Sequence, residues 1–224
     1  MADKVQETYA ALLEGFGDIS SVEGKLNTMC GSIYKYRVQI SEYMTKLLEH
    51  GLQNDDLTKL VSVQNYSKAF GSIGKFIDEN VKLQAEHADA EKEFSEEAKA
   101  DLLLLMKAVG EIIDFTVADY SIESNVFAET ILVFREEVST LHNSISMRHI
   151  MRLHNGTCRK ELSALFMNLC YGLEKIIDAC DLAAGTLSIK PYSLDMRYSD
   201  RKRKIQHLFK DKYNLLGDKN NADM

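Results

Sequence analysis

Eight apolar residues, Val22, Leu26, Met29, Ile33, Tyr36, Ile40, Tyr43 and Leu47, recur at intervals that alternate four and three without a break. This repeat puts all eight along one face of an α-helix, whereas a strand changes face at every residue. Ser20 and Glu23 have the spacing of a capping box at its start, and Gly51 stands where it stops. At about 1.5 Å per residue the helix is roughly 40 Å long. A second stripe, Phe127, Ile131, Phe134, Val138, Leu141 and Ile145, has the same form. It belongs to a helix that runs on to His154 and ends at Gly156.

The remaining chain reads the same way. Of 224 residues the only proline is Pro191, so residues 1–190 lack the residue that most often punctuates strand-rich folds. A long proline-free chain rich in Leu, Ala, Glu and Lys is nearly all helix. Four further helices are predicted over about 3–16, 55–85, 95–119 and 158–187, with Ser95 as the N-cap of the third of these. An acidic stretch over 86–101 contains the junction between two groups of three helices. Residues 73–78 (IGKFID) align with 173–178 (LEKIID), 100 positions apart, which suggests a duplicated three-helix unit. The expected architecture is all-α: a six-helix bundle made of two three-helix repeats, 1–90 and 91–188, with a short basic tail helix within 189–224. Each half is expected to close its own core, with Ile33, Ile40, Phe134, Val138 and Leu141 buried.

Charge and cysteine usage narrow the function. The 27 Lys and Arg against 34 Asp and Glu give a net charge of −7, which argues against nucleic acid as a partner. The longest apolar run noted, Leu102 to Met106, is far short of a membrane span, and the N-terminus carries no secretory signal. Cys30, Cys158, Cys170 and Cys180 form no C-x-x-C pair and read as reduced thiols of a cytosolic protein.

Three groups of residues are candidates for chemistry. Glu174, Asp178 and Asp181 fall within about 60° on one helix face, and read either as ligands for a hard cation or as a solvated acidic face. No histidine has a glutamate three residues before it, which disfavours ferritin-like di-iron chemistry. Arg148, His149, Arg152 and His154 gather at a helix C-terminus, where cations relieve the dipole. The tail carries Arg201, Lys202, Arg203 and Lys204, then Lys210 and Lys212, with Ile205, Leu208 and Phe209 between. It reads either as a basic amphipathic helix touching anionic lipid or an acidic partner, or as a terminal helix packed on the bundle. Neither a phosphate loop nor a nucleophile elbow is present, and nothing carries an enzyme signature.

FREEV at 134–138, Leu141, RHIMRL at 148–153, Gly156, Cys158 and LEKIID at 173–178 together resemble the PhoU family. FSEEA at 94–98 and ISEYM at 40–44 are similar to the PhoU-like C-terminal domain of bacterial sodium–phosphate cotransporters. The resemblance spans about residues 5–188 and is strongest over 125–185. It implies a cytoplasmic domain of two three-helix repeats at the inner face of the cell membrane. Such a domain regulates phosphate uptake without catalysis, through a transporter membrane domain in the same or a separate chain and through a sensor kinase, and it allows a homodimer. Many members hold metal clusters through an E/D-x-x-x-D motif on the third helix of each repeat. Here Glu174 and Asp178 match that motif, with Glu137 on the second long helix, while Ala179 and Leu182 replace the usual His and Asn. In the first repeat Gly74 replaces the glutamate, leaving Asp78, and Arg37 and Gln39 replace acidic residues. The expectation is therefore no required cofactor, at most one weakly held metal ion at Glu174, Asp178 and Glu137, and none in the first repeat. The alternatives are a metal-binding bundle that uses its carboxylate face, and a helical adaptor whose stripes bind partner helices.

Overall fold

The computed structural model describes residues 1–51, 54–88, 93–122, 125–187 and 196–213, and the side chains of these except 54–55, 119–129, 185–187 and 196–201. Seven α-helices account for nearly all of them: α1 (Ala2–Glu14), α2 (Ile19–Glu49), α3 (Asn54–Glu86), α4 (Glu96–Ile122), α5 (Asn125–His154), α6 (Ser163–Leu187) and α7 (Met196–Tyr213). One turn of 3-10 helix, Lys160–Leu162, leads into α6. The described residues contain no strand. None of their helices is long and apolar enough to cross a membrane.

Local signals explain most of the ends. Ser95 caps α4, its Oγ accepting the Ala98 backbone N–H at 3.3 Å. Gly51 and Gly156, both at positive φ, follow α2 and α5. The capping box at Ser20 and Glu23 does not form. α2 starts earlier, at Ile19, with Asp18 as its N-cap and no side-chain cap bond. Ser21 instead donates back to the Asp18 carbonyl at 2.9 Å.

The same packing occurs in both halves. α1, α2 and α3 all touch one another, as do α4, α5 and α6, and the two sets meet through α3 against α6 and α1 against α4. The α3–α6 contact is the most extensive in the molecule. The residues paired at 100-position spacing, Ile73 with Leu173 and Ile77 with Ile177, are all buried. α7 packs on α5. The expectation of two separate cores is corrected, because one contiguous cluster runs through α1 to α7. Two third helices that share one seam cannot close off their own halves. The boundary placed between residues 90 and 91 lies outside the described residues.

Close backbone approach holds the seam. A Cβ on Gly172 of α6 would lie 2.3 Å from the Asn80 Nδ2 of α3. Asn80 is itself buried and donates to the Phe76 carbonyl at 2.9 Å. Gly74 of α3 does the same for α2, since a Cβ there would lie 2.7 Å from Ile33 Cγ2.

Burial follows the α5 stripe throughout its described part: Ile131, Phe134, Val138, Leu141 and Ile145 are all in the core. Phe127 has no described side chain. The α2 stripe behaves differently. Leu26, Met29 and Ile33 are buried, but Ile40 is only half-buried, and Tyr36 and Tyr43 are 44% and 64% exposed. The cause is the length of α1, whose 13 residues cover only the first half of α2.

Leu141→Ala should lower the unfolding free energy by about 2–5 kcal/mol, as for other buried leucines, in urea titrations. The glycines give a paired test. Gly172→Ala forces Asn80 out of place and should cost about 1–3 kcal/mol. Gly24→Ala on α2, where a Cβ meets nothing within 4 Å, should stabilise by about 0.5–1 kcal/mol.

Candidate functional site

The carboxylate face of α6 is already occupied by cations. Arg135 of α5 reaches across to it, with Nη1 3.3 Å from Asp181 Oδ2 and Nη2 3.9 Å from Asp178 Oδ1. Lys175 Nζ donates to Asp178 Oδ2 at 2.9 Å. Burial pushes the Asp181 carboxyl above its usual range, against the pull of Arg135. Glu174 sits half-buried one turn before Asp178.

Glu137 does not join them. It is two residues from Arg135, hence about 200° around α5. Its Oε1 accepts the Gln206 Nε2 of α7 at 2.9 Å. The tail helix has thus taken the glutamate that the sequence placed across the groove from Glu174 and Asp178. Among the described residues no three His, Cys, Asp or Glu side chains are gathered to hold a metal ion. In the first half the position of the expected ligand is Gly74, and the space its side chain would need holds Ile33. Asp78 pairs with Lys82 at 2.6 Å.

The cations at the end of α5 have a partner that sequence reasoning missed. Asp101, at the start of α4, is 8% exposed. Its Oδ1 accepts Arg148 Nη2 at 2.6 Å and Nε at 3.1 Å, and its Oδ2 accepts Arg152 Nη1 at 2.7 Å. The available signal was the i, i+4 spacing of the two arginines, which puts both on one helix face. The acid lies 47 residues before Arg148, inside the acidic stretch that contains the predicted junction. His149 sits beside them, 1% exposed and stacked on Phe166 with ring centroids 4.0 Å apart. Its Nε2 is 3.2 Å from Ser163 Oγ at the start of α6. Burial lowers the imidazole pKa, the Arg152 charge adds to that, and Asp101 opposes it. Phe94 packs edge-on against the same Phe166. The group therefore ties together the start of α4, the end of α5 and the start of α6.

Three thiols are inert by environment. Burial pushes Cys30, Cys170 and Cys180 up to about 12, far from the activated range of a nucleophile.

The basic tail is a docked helix. Phe209 and Tyr213 are buried, and Phe209 meets Phe134 edge-on at 5.2 Å. Lys202 pairs with Glu136 at 2.7 Å, and Lys212 pairs with Glu111. Arg203, Lys204, Leu208 and Lys210 face outward and are exposed. The Arg201 side chain lies outside the described residues. Of the four predicted contact residues, one is spent on the bundle and two point to solvent.

Compared with protein-family models, curated proteins and solved structures, the chain matches none.

The buried neutral His149 makes stability pH-dependent. Its folded pKa lies below the ordinary 6.5, so its contribution is full above that value and is lost as pH falls through the folded pKa. Thermal melts between pH 7.5 and 5 should show the melting temperature falling below about pH 6.5. His149→Gln should flatten that slope.

Proposed function

We propose that this chain is a non-catalytic regulatory domain of phosphate uptake, PhoU-like, which acts on the membrane domain of a sodium-dependent phosphate cotransporter from the cytoplasmic side. The sequence likeness over 125–185 motivates the reading. The observation that carries it is the repeated packing: α1, α2 and α3 touch one another as α4, α5 and α6 do, joined through α3 and α6. That is the arrangement the likeness implies.

A regulator of this kind works by contact. The Asp101, Arg148 and Arg152 cluster ties α4 to α5 and the α3–α6 seam joins the two sets of helices, a body on which a partner can dock without turnover of a substrate. The outward cations of α7, Arg203, Lys204 and Lys210, suit anionic lipid headgroups around a transporter. The reading requires no cofactor. A second reading, a helical adaptor, draws support from one observation, the uncovered half of the α2 stripe.

The test is removal of this chain from cells that depend on the transporter. Uptake of labelled phosphate, or its response to external phosphate, should change while the amount of transporter in the membrane stays constant. Unchanged uptake and unchanged response would overturn the proposal.

A further inference from the structure

The two halves differ in one respect. α4 has 27 residues and α1 has 13, so about four turns of α4 have no counterpart among the described residues of the first set. In the second set those turns are the start of α4, which lies along the end of α5 and the beginning of α6. Asp101 holds Arg148 and Arg152 there, and Ala98, Leu102, Leu105 and Met106 are buried beneath it. In the first set the corresponding surface, the end of α2 and the beginning of α3, is a groove of about 560 Å³. Tyr36, Ile40, Tyr43 and Leu47 line it from α2, and Leu60 and Val63 from α3.

The groove continues the seam in which α1 lies. α1 runs antiparallel to α2: Gly15 abuts Val22, while Lys4 and Glu7 share a depression with Thr28 and Met29. The beginning of α1 therefore lies near Ile33, and the groove opens one turn beyond, at Tyr36. The four-three stripe passes from one to the other without a change of register. It is buried under α1 at Leu26, Met29 and Ile33, then exposed by 44% at Tyr36 and 64% at Tyr43. From Tyr36 to Leu47 is about 17 Å of helix, or three turns.

We infer that this groove is a docking site for a single amphipathic helix of a partner protein, laid end to end with α1. The helix spans three to four turns and presents apolar residues at i, i+3, i+4 and i+7, as the start of α4 does in the second half. A second copy of this chain is the poorer occupant. α1, α4 and α7 already spend their apolar faces on their own bundle. Another copy would bring only the same two-helix tip, where the groove admits one helix. The inference is independent of the phosphate reading.

The probe is a fluorescein-labelled peptide of residues 96–109 of this chain, the segment that fills the equivalent place in the second half. It is titrated with the full chain and followed by anisotropy, beside a peptide of scrambled sequence. Saturable binding of the ordered peptide alone is expected. Tyr43→Glu and Val63→Glu, both at exposed lining positions, should each weaken it by about tenfold or more. Tyr171→Glu, equally exposed on α6 outside the groove, should leave it unchanged. Circular dichroism melts confirm that each variant is folded. No saturable binding, equal binding of the scrambled peptide, or indifference to both groove variants overturns the inference. Sedimentation adds a further arm. A monomer is expected, and a concentration-dependent dimer abolished by Tyr43→Glu would give the groove to a second copy and overturn the partner helix.

Discussion

The rest of the fold depends on how closely α3 and α6 approach. Gly172 lets the α6 backbone come up against the Asn80 side chain, and Asn80 stays satisfied through the Phe76 carbonyl. Ile73 and Ile77 of α3 and Leu173 and Ile177 of α6 are buried in the same core. Everything else is hung on this pair. α2 packs on α3, α5 packs on α6, and α1 and α4 meet each other while bracing the halves. A buried polar side chain at the centre of an apolar seam also limits sliding, because a shift of one turn would strand its amide among methyl groups.

Helix identity was legible in the sequence because a four-three repeat has one geometric solution. Coverage was not. The stripes on α2 and α5 are equal as patterns, yet one is buried along its described length and the other only to Ile33. Periodicity reports which residues share a face. What covers that face depends on the length of a different helix, here α1 against α4. The misplaced capping box has a similar cause. Asp18 can open the helix as readily as Ser20, and the turn through Gly15 and Gly17 sets the entry point.

The candidate site was legible within one helix and illegible between helices. Glu174, Asp178 and Asp181 share a face of α6, as their spacing requires. Which α5 residue meets them depends on how α5 is rotated, and Arg135 and Glu137 face opposite ways although only two positions apart. The rotation that buries Phe134 and Val138 gives the acidic face an arginine and gives the glutamate to α7. Gly74 shows the converse. Set beside a family motif it looked like a lost ligand, whereas in the fold it is a contact surface for Ile33. Asp101 was hidden by distance in sequence, and nothing local in the acidic stretch marks it out from its solvated neighbours.

Coverage also separates the outer faces of the two long helices. α5 carries α7, which buries Phe209 against Phe134 with Tyr213 beside Phe209, and pairs Glu136 and Glu111 with lysines. α2 has no such cover among the described residues and leaves Tyr34, Tyr36, Tyr43 and Leu48 facing outward. Scattered exposed hydrophobics need no explanation, but these lie on one helix next to Leu57, Val61 and Val63 of its neighbour. Tyrosine suits such a surface, since its ring buries well and its hydroxyl stays content in water. Both halves leave apolar side chains outside, Met147, Ile150 and Met151 of α5 among them, but on α2 they border a groove that continues the seam under α1.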